Sequence, residues 1–169
     1  GYAVVLGQSG TTDPIRLAKY NNGIQNTLTN LITSNTSGLT DFGGEFLSVK
    51  VTYNPNNNQW ELFLRNDGAS AFTDPTIGTL ISQGTATDNT YTGISLTYMG
   101  GYWQGSTGGS QTAFFDNVKV TVTPSPALTA SPTSLSGLNY VFGFGPSASQ
   151  SYKLNGANLV PASGNINIS

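Results

Sequence analysis

The segment from Phe46 to Arg65 constrains the fold more than any other part of the chain. Leu47, Val49, Val51 and Tyr53 alternate with Ser48, Lys50 and Thr52. After the loop Asn54-Pro55-Asn56-Asn57-Asn58, Trp60, Leu62 and Leu64 alternate with Glu61, Phe63 and Arg65. Successive side chains of an extended chain point to opposite faces, so each run presents one apolar face and one wetter face. A helix cannot use this pattern, because its faces repeat every 3.6 residues. Two such runs joined by a short polar loop predict an antiparallel hairpin. Trp60, in phase with Leu62 and Leu64, reads as core.

Elsewhere the same period recurs and no segment holds a helical period over three turns. Tyr2 to Leu6 is a short apolar run, and Gln8 to Asp13 is a turn. Pro14 to Tyr20 alternates, with Ile15, Leu17 and Lys19 on one face, and Asn21-Asn22-Gly23 closes it with residues that tolerate positive φ. Leu28, Leu31 and Ile32 belong to the next strand, although their spacing is irregular. Ile94, Leu96 and Tyr98 give another strand, followed by a glycine-rich loop over 100–109. Gln111 to Thr123 reads as a last long strand with Phe114, Val118, Val120 and Val122 in phase. Such a chain is all-β, with antiparallel sheets stacked as a sandwich. Pro124 and Pro126 mark residues 124–127 as a stiff linker, dividing a first domain over 1–123 from a second unit over 128–169. In that second unit Phe142, Phe144, Tyr152, Leu154, Leu159, Ile166 and Ile168 suggest three short strands, too few to bury a sandwich core alone.

Charge and residue usage narrow the function. Only 8% of residues are charged, against about 25% in an average soluble domain. The six basic residues, Arg16, Lys19, Lys50, Arg65, Lys119 and Lys153, are scattered singly. No basic stripe exists to neutralise phosphates, which argues against nucleic acid. The chain has no Cys and no His, so thiol nucleophiles, imidazole catalysis and ordinary zinc sites are excluded. No apolar run approaches the ~18 residues of a membrane-spanning helix. A neutral polar surface without cysteine suits a secreted or cell-surface bacterial protein. The chain opens at Gly1 directly into an apolar run and reads as a processed product or a fragment.

Several stretches carry a resemblance: Gly1-Tyr2-Ala3-Val4-Val5-Leu6-Gly7, Asp13-Pro14-Ile15-Arg16-Leu17, Leu47 to Pro55, Trp60-Glu61-Leu62-Phe63 and Phe114-Phe115-Asp116-Asn117-Val118. Together they resemble the second half of a concanavalin A-like (laminin G-like) jelly roll, as found in large secreted proteins of Bacteroidetes. The tail Leu128 to Ser136 resembles the start of an Ig-like repeat from the same kinds of protein. The resemblance implies an apparently incomplete jelly roll over 1–123 and a partial Ig-like unit over 128–169. It implies binding of carbohydrate or a cell surface, although such domains also act as spacers.

Candidate sites follow. Enzymes on the resembled fold carry a Glu-x-Asp-x-x-Glu strand, and glycoside hydrolysis needs two facing carboxylates. The only glutamates, Glu45 and Glu61, have no acidic neighbour at i+2 or i+4, so no catalytic residue is expected. Calcium held by oxygens of loop aspartates, Asp74 and Asp88 foremost, competes with each Asp simply capping its own turn. Asp116 shares the parity of Phe114 and Val118 and points into the core unless a bulge intervenes. For sugar, Tyr102 and Trp103 offer aromatic faces to a pyranose, with Asn89, Tyr91 and Gln104 supplying polar work. Against this stands the alternative that Trp103 tucks back over the end of the sandwich. Three functions remain open here: a non-catalytic adhesion module, a structural segment, and an accessory piece of a secreted hydrolase. In the structural case, strands of the same precursor or of neighbouring subunits cover the apolar face of the 47–64 hairpin.

Overall fold

The structure is a computed structural model that describes residues 1–8, 11–41, 44–104, 112–122, 124 and 126–159. Among these residues the secondary structure is all β, with no helix. The chain divides into two compact units, Gly1–Val118 and Lys119–Ser169.

The first unit contains two three-stranded antiparallel meanders. One sheet has the order β1 (Tyr2–Leu6), β2 (Ile15–Tyr20), β3 (Leu28–Thr33). The other has the order β4 (Phe46–Asn54), β5 (Gln59–Gly68), β6 (Ile81–Thr87). The β4–β5 hairpin is the one the alternation predicts, with Tyr53 opposite Trp60 and Val51 opposite Leu62. Its turn is held locally. Asn54 accepts from the Asn56 N–H at 3.0 Å, Asn57 accepts from Gln59 N–H at 3.2 Å, and Asn58 takes a φ of 55°.

The two sheets pack face to face around Ile15, Leu17, Ile32, Leu39, Leu62 and Leu64. Leu62 and Leu64 are 0% exposed. The expectation that strands from outside must cover the hairpin's apolar face is therefore corrected: β2 and β3 of the same chain cover it. Val49, Val51 and Trp60 pack against that core and remain half-buried.

Three bulges shape the sheets. Leu17 pairs with Ile32 but Ala18 with Asn30, so Leu31 is an extra residue. That accounts for the irregular spacing of Leu28, Leu31 and Ile32, since Leu31 and Ile32 both reach the core. Asp67 is the extra residue where Phe46 pairs with Gly68 and Leu47 with Asn66. The third lies in β6, around Gly84 at φ +118°, and leaves Gln83 2% exposed. Gln83 Oε1 accepts from the N–H groups of Asn35 and Thr36 at 3.2 and 3.3 Å, and its amide donates to Ile81 O at 3.1 Å. One buried amide thus ties β6 to the turn after β3.

Two sequence expectations fail. Ile94–Tyr98 and 112–122 are irregular, and Ile94, Leu96, Tyr98, Phe114, Val118, Val120 and Val122 are exposed. Alternation supplies two faces, but a strand also needs a hydrogen-bonded neighbour, and among the described residues neither segment has one. Asp116 consequently does not enter the core. It is exposed, and its carboxylate accepts from the Asn117 N–H at 2.8 Å. Gln111, Thr123 and the loop over 105–110 lie outside the described residues.

In the second unit β7 (Ala127–Ser131) pairs antiparallel with β10 (Lys153–Ala157), and β8 (Tyr140–Val141) with β9 (Gly145–Pro146). None of its described residues is buried. The expected contributions of Ile166 and Ile168 lie outside the described residues.

Candidate functional site

Asp88 follows β6 directly and carries a densely bonded carboxylate. Its Oδ1 accepts from the Tyr2 hydroxyl at 2.8 Å and from the Thr90 N–H at 2.9 Å. Its Oδ2 accepts from the Lys19 ammonium and from Thr90 Oγ1, and its carbonyl accepts from the Trp60 indole at 2.9 Å. Burial alone would raise this carboxyl, but the Lys19 charge and the Thr90 and Tyr2 donors hold it well below the usual carboxylate range. Around it Tyr53, Trp60, Tyr2 and Tyr91 form a row of rings with centroids 4.6, 4.4 and 5.7 Å apart. Alternation puts Tyr53 and Trp60 on the core-facing side of their strands, and the Tyr91 N–H closes the cluster on Tyr2 Oη at 3.1 Å.

The Tyr53 hydroxyl, the Trp60 indole N–H and the Tyr2 hydroxyl each meet a protein partner. A cation at Asp88 would have to displace Lys19, and the carboxylate serves to close the end of the sandwich. Asp74 caps its own turn, accepting from Thr76 N–H and Thr76 Oγ1 at 2.8 and 2.7 Å. It lies in the loop between β5 and β6, in a different turn from Asp88. Among the described residues no three acidic, His or Cys side chains come together as a metal site would need.

The two glutamates do not meet either. Glu61 pairs with Thr52 across the β4–β5 ladder, which puts Glu45 about seven residues, or ~23 Å, along the strand direction. Facing carboxylates in glycosidases stand only about 5–9.5 Å apart. Glu45 accepts from the Asn66 amide at 2.7 Å and Glu61 from the Ser82 hydroxyl at 2.6 Å.

The aromatic pair lies elsewhere. Tyr102 is 44% and Trp103 50% exposed, so neither is buried in the core. Tyr102 Oη accepts from the Gln25 amide and donates to Gln104 Oε1 at 3.2 Å. Gln25 sits in the β2–β3 loop, 77 residues away in sequence.

No family model, curated protein or solved structure matches this chain.

The structure brings Tyr102 and Gln104 together and leaves Trp103, between them in sequence, half-exposed. Asn89 and Tyr91 belong to the Asp88 turn. Asn89 O accepts from Thr92 there, and Tyr91 packs on Tyr2. No hydrogen bond or ring contact joins those two residues to the Tyr102 group. Sequence reasoning missed Gln25. A lone glutamine in an Asn-rich turn carries no periodic or spacing signal, and only the fold places it under Tyr102.

Proposed function

We propose that this chain is a non-catalytic extracellular module that binds carbohydrate, through Tyr102, Trp103 and Gln104. The observation that carries the reading is the half-exposed indole of Trp103 next to a phenol already held by two amides. An aromatic face stacks on the C–H face of a pyranose while amides satisfy its hydroxyls, and anchoring Tyr102 in advance lowers the ordering cost of binding. Secretion to the cell surface is part of the proposal, supported by a surface built of Ser, Thr, Asn and Gly with few charges and no Cys. The widely separated glutamates support the absence of glycosidase chemistry.

A glycan array tests this reading. The unmodified chain should bind at least one glycan class, and Trp103→Ala should abolish the signal while lowering stability by no more than about 1 kcal/mol, as for an exposed residue. A loss of ~3–5 kcal/mol would mark Trp103 as core and remove the site's anchor.

A second reading rests on a different observation. Segments 94–98 and 112–122 expose alternating apolar residues without a ladder partner among the described residues, which is the pattern of strands that pair with another chain. Light scattering on the purified chain separates the two: a monodisperse monomer removes the structural reading, and a defined oligomer favours it.

A further inference from the structure

Two segments far apart in sequence meet at the candidate site, and neither carries a charge. The β2–β3 loop reads Asn21-Asn22-Gly23-Ile24-Gln25-Asn26-Thr27, and the aromatic segment reads Tyr98-Met99-Gly100-Gly101-Tyr102-Trp103-Gln104. Among the described residues their link is the chain of bonds from the Gln25 amide through Tyr102 Oη to Gln104 Oε1. Asn21, Asn22, Gln25 and Asn26 are exposed on the loop, as is Gln104 on the facing segment. The nearest charges along the loop's strand do not reach out to a ligand, because Lys19 is bound to Asp88 and Thr90.

We infer that the β2–β3 loop is the second wall of the site, that Gln25 contacts the ligand, and that the ligand is an uncharged glycan. The inference rests on the carbohydrate reading and adds the residue and the ligand class to it. A primary amide carries two donors and one acceptor with two lone pairs, so a single bond to Tyr102 exhausts neither glutamine. Sugar hydroxyls are themselves donors and acceptors, and match amides on both counts. A carboxylated or sulfated glycan needs a cation or several aligned donors to replace the water around its charge. Neither segment has an Arg or Lys to offer. Recognition without ion pairs also makes binding insensitive to salt, because no Coulomb attraction is there to be screened.

The test is affinity electrophoresis of the 169-residue chain through gels holding one polysaccharide each. The neutral set is a glucan, a mannan and a xylan. The anionic set is polygalacturonate, alginate and dextran sulfate. Retention by a neutral polysaccharide, equal at low and high sodium chloride, is expected. Gln25→Ala should weaken it about tenfold, the worth of one good hydrogen bond, with an unchanged melting temperature. Retention by the anionic set alone, or retention abolished by salt, overturns the uncharged-ligand inference and leaves carbohydrate binding standing. Neutral retention that Gln25→Ala and Gln25→Glu both leave intact overturns the second wall. Retention by neither set defeats the inference and the carbohydrate reading together.

Discussion

At the scale of single residues, the charges of this chain are structural before they are anything else. Asp88 holds Lys19, Tyr2 and Thr90 at once, and Asp67 holds Ser48 and Arg65 through a carboxylate that a bulge turns inward. Arg65 then reaches the carbonyls of Asp74 and Ile77, fixing the loop between β5 and β6. Removing the Asp88 carboxylate with Asp88→Ala should cost about 2–3 kcal/mol in denaturant melts. That is less than the ~3–5 of a fully buried pair, because Lys19 keeps some contact with water. Asp88 is held below its unfolded value, so its contribution is complete above about pH 4 and fades as pH falls through the folded value. Tyr2 behaves in the opposite sense. Desolvation, with the adjacent Asp88 charge adding to it, pushes its phenol up to about 12. The stability it contributes is present below the ordinary tyrosine value near 10 and is lost as pH rises towards 12. Thermal melts across that alkaline window should show a decline that Tyr2→Phe flattens.

At the scale of elements, legibility followed the ladder. The β4–β5 hairpin is plain in the sequence because Leu47, Val49, Val51, Tyr53, Trp60, Leu62 and Leu64 keep the period that their buried face requires. Strand β6 carries no such signal. Its sequence Ile-Ser-Gln-Gly-Thr-Ala-Thr has little apolar content, and the bulge at Gly84 breaks what period it has. Its place depends on Gln83, a polar residue that no hydrophobic pattern would put inside. Gln83→Leu keeps the volume but strands the Asn35 and Thr36 N–H groups, and should destabilise by about 2 kcal/mol. Hydrogen exchange at those two amides should rise with it. Gly84→Ala meets nothing closer than Ile32 Cγ2 at 4.0 Å, so its cost is conformational. At φ +118° about 1–3 kcal/mol is expected. The candidate site was half legible for the same reason. Tyr102, Trp103 and Gln104 announce themselves as neighbours in one loop, while Gln25 depends on a long-range approach. Asn89 and Tyr91, which look equally suitable on paper, were drawn instead into the end of the sandwich. Segments 94–98 and 112–122 show the reverse, since their alternation is real and among the described residues no ladder accompanies it.

At the scale of the whole molecule, burial is concentrated in one place. Among the described residues, the fully buried apolar side chains all belong to the first unit and the second unit buries none. Leu62→Ala should therefore cost about 2–5 kcal/mol, while a chain ending at Val118 should melt calorimetrically at nearly the temperature of the full chain. The scarcity of charge has a further consequence, for proteolysis. Trypsin cuts only after Lys and Arg, and only where the chain opens locally from its fold. Of the six basic residues, Arg16 and Lys19 lie in β2, Lys50 in β4, Arg65 in β5 and Lys153 in β10. Lys119 alone lies outside a strand, at the boundary between the two units. Native protein should then yield to this protease first after Lys119 and within the coreless second unit, after Lys153, releasing the sandwich whole.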